Sequence, residues 1–333
     1  MALRLIEVIT PVEKKEMIEA LRKETSVIDA WQEERTRSRY SFKILLQAED
    51  SEKMIDKISR LFKKGETFRL IVQDVEATLP LVETPPAQIM PVKKHIGRLS
   101  VSREELYNQV VSMAQFNYVY VLMVALAAVI ASFGFIEDKW VVIIGSMVVA
   151  PLIAPNIALS LGVVLGDMEL GKMGLWAMGG GVLIALFLAL AIGLVYPFEL
   201  TSQSLQGSLV FNYPDLIVAL ASGVAGVLAF TTGTAFALIG VMVSISLLPP
   251  LVTAGLVLGK GEFLLFGDAM MLFFANFVAL NLSGVVTFRF QGVRPKNWWE
   301  AKKAKKYRTQ AIIAWIFMLL VLIVSIYVKH RYA

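Results

Sequence analysis

Four prolines stand where an apolar chain tolerates them least. Pro151 and Pro155 lie in "IIGSMVVAPLIAPNIALSLGVVLGD", Pro249 and Pro250 in "LIGVMVSISLLPPLVTAGLVLGK". Proline has no N–H, and its ring pushes away the carbonyl four residues earlier. The carbonyls of Met147, Pro151, Ile245 and Ser246 are therefore predicted to lose their helical donors. In hydrocarbon, such groups are tolerated only where protein or a water-filled cavity receives them. The chemistry on offer is coordination rather than bond-making: opened carbonyls, N–H groups at a positive helix end, and short polar side chains beside them. Those side chains are Ser146, Asn156 and Ser160 near the first pair, and Ser244, Ser246 and Thr253 near the second. With Met147, the four prolines and Asn276 of a later span, all but Ser160 form the candidate solute-binding set. Asp268, a little over one turn into an apolar span, is the candidate for coupling to a proton or cation. Plain kinks, healed by serine hydroxyls and neighbouring helices, are the alternative.

Catalysis finds little support. The chain has no cysteine, which excludes thiolate nucleophiles, disulfides and cysteine metal sites. His95 and His330 are too far apart in sequence to suggest a histidine metal site. No Ser-His-Asp set or P-loop is evident, and the run Gly179–Gly180–Gly181 lies inside an apolar span, where it reads as helix packing. The expectation is a non-enzyme without metal or cofactor.

The elements that must position these residues follow from composition. Charged residues make up 18% of the chain, against about a quarter in soluble domains, and 56% is hydrophobic. The shortage is uneven: residues 1–108 are charge-rich, and 117–290 contain very few charges. This predicts a membrane protein with a soluble N-terminal domain. Residues 1–17 hold no apolar core long enough for a signal peptide, so that domain is expected not to be exported.

Within residues 1–80, "LRLIEVIT" alternates as a half-buried strand, and "VEKKEMIEALRKE" repeats at helical spacing. "SVIDAWQEE" and "SRYSFKILLQAE" read as strands, "DSEKMIDKISRLFKK" as a capped helix, and "TFRLIVQDVEATLP" as a last strand. The order β-α-β-β-α-β predicts a small α+β ferredoxin-like domain. Residues 81–100, with three prolines, read as a linker, and 101–115 as an amphipathic helix.

Apolar stretches of about 20 residues predict spans at 116–136, 140–166, 173–198, 263–288 and 311–327. The run 216–259 fits two more, hinged at Thr231–Thr234, giving about seven. An N-terminus in the cytoplasm keeps Lys93, Lys94, Arg98, Arg103, Lys172 and the basic stretch 289–308 inside. Residues 291–310 then form a basic interfacial helix anchored by Trp298 and Trp299, before a C-terminal span in 311–333. The net charge of +5 thus belongs to the membrane surface rather than to nucleic acid.

A shift of about 95 residues brings the sequence onto itself. "FNY" at 116–118 meets "FNY" at 211–213, "IIGSM" meets "LIGVM", "PLIAP" meets "SLLPP", and after a short slip "GVVLGD" meets "GLVLGK". Units 116–200 and 201–290 would each hold three spans, an odd number, so the second is inverted. Proline segments forming the tips of re-entrant hairpins would change that topology. The predicted fold is an α-helical polytopic membrane protein with two inverted three-helix repeats whose central helices are Pro-broken, plus the ferredoxin-like domain.

These motifs resemble a prokaryotic family of hydrophobic membrane proteins catalogued as domain of unknown function 389. The carrying residues are "IGSMVVAPLIAPNIALSLGVVLGD", "NYPDLIVALASGVAGVLA", "VMVSISLLPPLVTAGLVLG" and the downstream "NFVALNLSG". "VEATLP" is similar to the branch with an N-terminal ferredoxin-like module. The family typically reads Gly-Ala-Met, so Ser146 departs modestly, as do Ile153 and Asn156. The resemblance implies a prokaryotic inner or plasma membrane and leaves the activity open. The expected function is secondary transport of a small polar or anionic solute by alternating access, with the cytoplasmic domain regulating or oligomerising the protein. A membrane-anchored ligand sensor or assembly scaffold is the alternative, and a channel the third. The expected partners are lipid, a solute and further copies of the chain, with a trimer favoured over a dimer.

Overall fold

The computed structural model describes residues 3–11, 14–23, 26–36, 39–62, 68–75, 78, 103–209, 213–232, 236–295, 308–321 and 324. The predicted linker and most of the basic interfacial stretch lie outside them, as do Gly233 and Thr234 of the Thr231–Thr234 turn. The chain forms two compact units, Met1–Leu106 and Tyr107–Ala333.

The first unit contains β1 (Leu3–Pro11), α1 (Lys15–Glu19) with a 3-10 turn after it, β2 (Val27–Thr36), β3 (Arg39–Gln47), α2 (Ala48–Arg60) and β4 (Arg69–Val75). The strands form one antiparallel sheet in the order β2-β3-β1-β4. Register follows the alternation of β1: Ile6 faces Ile44 and Val72, and Val8 faces Phe42 and Leu70. A one-residue slip would turn this row to the other face. Met54, Ile55 and Ile58, spaced at 3.6-residue periodicity on α2, complete the core with Ile18 and Leu21. On the opposite face the buried Glu7 accepts a hydrogen bond from the Ser41 Oγ at 2.5 Å. Arg4 pairs with Asp74 and, at 2.9 Å, with Glu105.

α3 (Arg103–Met113) leads into the second unit. There follow α4 (Tyr118–Ile136), α5 (Trp140–Val149), α6 (Ile153–Leu165), α7 (Met168–Val195), the short α8 (Gln203–Gly207), α9 (Tyr213–Thr232), α10 (Phe236–Gly259) and α11 (Phe263–Phe290). A last helix, α12, covers Arg308–Val321. Among the described residues, four helices are long and apolar enough to cross a membrane, and five if α5 and α6 count as one bent span. Large side chains such as Leu264 (84% exposed) and Val195 (83%) face outward, as lipid-facing residues do. The second unit is therefore a multi-pass membrane domain.

Local sequence explains where these helices start and stop. Asn117 caps α4 by accepting from the Tyr120 N–H at 2.8 Å; its counterpart Asn212 lies outside the described residues. Gly166, at φ 72°, ends α6 in the left-handed region. Asp167 then caps α7 through the Glu169 and Leu170 N–H groups, at 3.0 and 3.1 Å. It also accepts from the Tyr107 hydroxyl at 2.9 Å. Burial first, then that hydrogen bond, push the Tyr107 hydroxyl pKa above its ordinary value. In the α4–α5 turn, Asp138 accepts from the Ser204 N–H at 2.8 Å; the Ser204 side chain first, and then that N–H, hold its carboxyl below the usual range.

The Pro-broken central helices expected in both halves occur in one. α5 and α6 meet at a break with a bend of 50°. α10 instead runs 24 residues as one helix with Pro249 and Pro250 inside it. The physical reason emerges at the site: one of the carbonyls that these prolines open has a substitute donor.

α7 and α10 pack along each other, and small residues set their separation. A Cβ on Gly193 would lie 2.6 Å from the Leu256 oxygen, and one on Gly259 2.6 Å from the Gly193 carbonyl carbon. Both obstacles are backbone, so the helices would have to part. Gly193→Leu should therefore destabilise the detergent-solubilised protein by roughly 3 kcal/mol. Gly179→Ala, which meets nothing within 4 Å, should leave the melting temperature unchanged or slightly raised, since alanine favours helix by up to about 1 kcal/mol. Thermal unfolding of the two variants checks this contrast.

Candidate functional site

The break between α5 and α6 belongs to Pro151. Ala150 closes the last turn of α5 through its N–H to the Ser146 carbonyl at 3.1 Å and then turns extended, at φ −71° and ψ 114°. A residue before proline is pushed to that region by the ring. Pro155 plays another part. It is the third residue of α6, where an N–H has no intrahelical acceptor, so the proline costs no bond. The Pro151 carbonyl, expected to be opened by Pro155, lies outside the helix and had no helical donor to lose. Pro155 thus fits the first turn rather than breaking it.

α6 begins with no side-chain cap on Leu152. Asn156, 5% exposed, donates Nδ2 to the Leu152 carbonyl at 2.8 Å and lies 3.8 Å from the Met178 sulfur on α7. Its Oδ1 accepts from the Asn281 Nδ2 of α11 at 2.9 Å. Asn281 also donates to its own helix at the Phe277 carbonyl, at 2.8 Å, and its Oδ1 accepts from the Ser160 Oγ at 3.2 Å. All three side chains are buried. Close approach of α6 and α11 depends on Gly284, where a Cβ would come 2.8 Å from the Ser160 Oγ.

On α10, Pro250 cannot donate to the Ser246 carbonyl. The Asn276 Nδ2 of α11 does so instead, at 2.8 Å. Along this part of α10 and the facing turn of α11, three buried oxygens are without a partner among the described residues: Ser246 Oγ, Thr253 Oγ1 and Asn276 Oδ1. Leaving such an atom unsatisfied in an apolar interior costs about 1–3 kcal/mol.

α11 therefore lies between the two proline helices and gives one asparagine to each. Asn276 and Asn281 are five residues apart, roughly 140° around the helix, so they face different neighbours. The candidate set read from the sequence contains Asn276 and not Asn281, which shares the span but faces another neighbour. The Ser283 Oγ instead donates to the Leu280 carbonyl of its own helix at 3.1 Å, on the side packed against Gly223 of α9. The signal that could have found Asn281 is its type: a carboxamide in an apolar span needs a partner wherever it points.

Other expected residues fall elsewhere. The Ser146 Oγ bonds back to the Ile143 carbonyl at 2.6 Å, and Met147 is buried beside it; no hydrogen bond joins either to the asparagine pair. Ser244 lies in α10, with its side chain outside the described residues. Thr253 is two turns beyond Ser246, roughly 10 Å along the helix. Asp268, half-buried near the start of α11, lies eight residues from Asn276, about 12 Å along the axis. A cavity of about 250 Å³ opens instead at the α6–α7 turn, lined by Gly162, Asp167, Lys172 and Gln310 among others.

A helical domain with membrane-length apolar spans and a buried polar seam where two proline helices meet α11 defines a polytopic membrane protein. The chain belongs to the family described as Domain of unknown function (DUF389), whose model matches residues 147–282. That match contains both proline segments and both asparagines. The chain is also 31% identical over 327 residues to the uncharacterized protein MJ0678 of Methanocaldococcus jannaschii, covering 98% of this chain and 99% of that one. No solved structure matches it.

Asn281→Ala should cost about 1–2 kcal/mol in thermal unfolding, the range for buried hydrogen bonds between membrane helices. Asn156→Ala should cost less once Asn281 is gone, giving a coupling of roughly 1 kcal/mol in a double-mutant cycle. Strict additivity of the two variants would show that the pair does not act as a unit.

Proposed function

We propose that the protein is a secondary carrier of a small polar or anionic solute, working by alternating access in a prokaryotic cell membrane. The observation that carries this reading is the seam itself: two proline segments from corresponding parts of the sequence, each matched to a buried asparagine of α11. Polar groups in an apolar span are costly and mark solute or ion pathways. Their convergence on one helix is what a central binding site between two moving halves requires.

The packing pattern supports an inverted repeat. α4, α5–α6 and α7 form one unit of three, and α9, α10 and α11 the other. In each, the first helix packs on the third and the middle element on both. Between units, the contact of α7 with α10 is answered by that of α11 with α6. A pseudo-two-fold axis generates this pairing. A re-entrant hairpin would reverse the chain, whereas a bend of 50° keeps it advancing, so α5 and α6 are taken as one broken span.

The seam is buried in this conformation, and access requires α6 or α10 to move against α11. The β-α-β-β-α-β order and β2-β3-β1-β4 sheet are taken as a cytoplasmic ferredoxin-like module that regulates or oligomerises the carrier, with a trimer favoured over a dimer. Catalysis forms no part of the proposal.

The test is uptake in proteoliposomes of labelled polar and anionic solutes, chosen by thermal stabilisation of the purified protein. Saturable uptake supports a carrier, very high unsaturable flux a channel, and no flux a sensor or scaffold. Pro250→Ala restores the donor that competes with Asn276, and Pro151→Ala allows α5 to run on; each should lower flux at least about tenfold. Pro155→Ala, in the first turn of α6, should stay within roughly twofold of the parent. Normal flux in both Pro151→Ala and Pro250→Ala would remove the proline segments from the mechanism.

A further inference from the structure

Around Ser246 the polar accounting of the membrane unit does not close. The Ser246 carbonyl, deprived of its helical donor by Pro250, accepts from the Asn276 Nδ2 at 2.8 Å. Only the nitrogen of a carboxamide can donate to a carbonyl, so chemistry sets the orientation of Asn276 and makes Oδ1 the atom left over. Asn276 is 4% exposed, and among the described residues no donor reaches that oxygen. The Ser246 Oγ, in a residue 5% exposed, is equally without a partner among the described residues. Pro249 withholds a further N–H, the one that the Ile245 carbonyl would accept.

These atoms share one chemical character. A carboxamide oxygen, a hydroxyl and helix carbonyls are hard, neutral oxygen donors. Among the described residues, no group of three His, Cys, Asp or Glu could hold a metal ion, and the nearest acid along α11, Asp268, is two turns away. Divalent cations, costly to strip of water, are bound through carboxylates. Neutral carbonyl and hydroxyl oxygens replace the looser hydration shell of a singly charged ion, and interrupted membrane helices supply them.

We propose that Ser246 and Asn276, with the carbonyls opened by Pro249 and Pro250, form a binding site for a monovalent alkali cation. Thr253 is too far along α10 to share it. Binding satisfies the leftover oxygens without adding a charged side chain to the apolar interior. The role of the cation as coupling ion rests on the carrier reading; its binding does not.

The experiment compares melting of the purified full-length protein in sodium, potassium and choline chloride at equal ionic strength. Sodium or potassium at about 300 mM should raise Tm by roughly 3 °C over choline. In choline, Ser246→Ala should melt at or above the parent temperature, because it deletes a buried hydroxyl that has no partner. In sodium or potassium it should lose most of the gain. Asn276→Ala should lose the gain as well, but it also strips the Ser246 carbonyl and melts lower throughout, so Ser246→Ala is the deciding variant. Equal melting in all three salts, or an alkali gain undiminished in Ser246→Ala, would overturn the site and assign the leftover oxygens to structural water. An alkali gain lost in Ser246→Ala without any solute flux keeps the cation site and removes the carrier. Solute flux with equal melting in all three salts keeps the carrier and removes the site.

Discussion

The hydrogen bond from the Asn276 Nδ2 to the Ser246 carbonyl replaces one that Pro250 makes impossible, and the arrangement of the membrane unit turns on it. Membrane interiors supply no water to an orphaned backbone group. A chain that places prolines in a span can leave the helix, as at Ala150, or bring a donor from elsewhere, as at Ser246. This protein does both, once in each of two similar stretches. The two solutions have different consequences: a break re-aims the chain by 50°, and a substitute donor binds α10 to α11.

α11 serves both stretches, which constrains its surroundings. Asn276 must face α10 while Asn281 faces α6, and neither contact survives a rotation of the helix. The approach of α6 relies on Gly284, and α7 meets α10 through Gly193 and Gly259. Hydrophobic burial does little to hold helices together in lipid, so close backbone packing and shared hydrogen bonds carry the association. The seam thus unites what stabilises the fold with the polar groups on which the proposed function rests.

Much of the fold was legible in residue order. Charge distribution separates the two units, alternation in β1 and helical spacing in α2 foretell the sheet and its core, and apolar lengths foretell the long helices. The site was half legible. Asn156, Ser246, Asn276 and the prolines are visible as polar or donor-poor residues in apolar runs. Asn281 is not in the set read from the sequence, because which neighbour each side of α11 meets is a matter of packing, and α11 meets α10 on one side and α6 on another. Pro155 was misjudged because its effect depends on where α6 begins, which Pro151 decides four residues earlier.

What the sequence by itself determined is local covalent chemistry: which residues lack an N–H, which side chains carry a polar group into hydrocarbon, and how long each apolar run is. Tertiary structure decided what became of each missing donor. At α10 the missing donor is replaced by a side chain 30 positions away, Asn276 to the Ser246 carbonyl, and the polar partner of Asn156 on α6 comes from Asn281, 125 positions away. Sequence spacing cannot report that distance in space, because it is set by how closely glycine-faced helices pack, and packing is a property of pairs of helices rather than of either one.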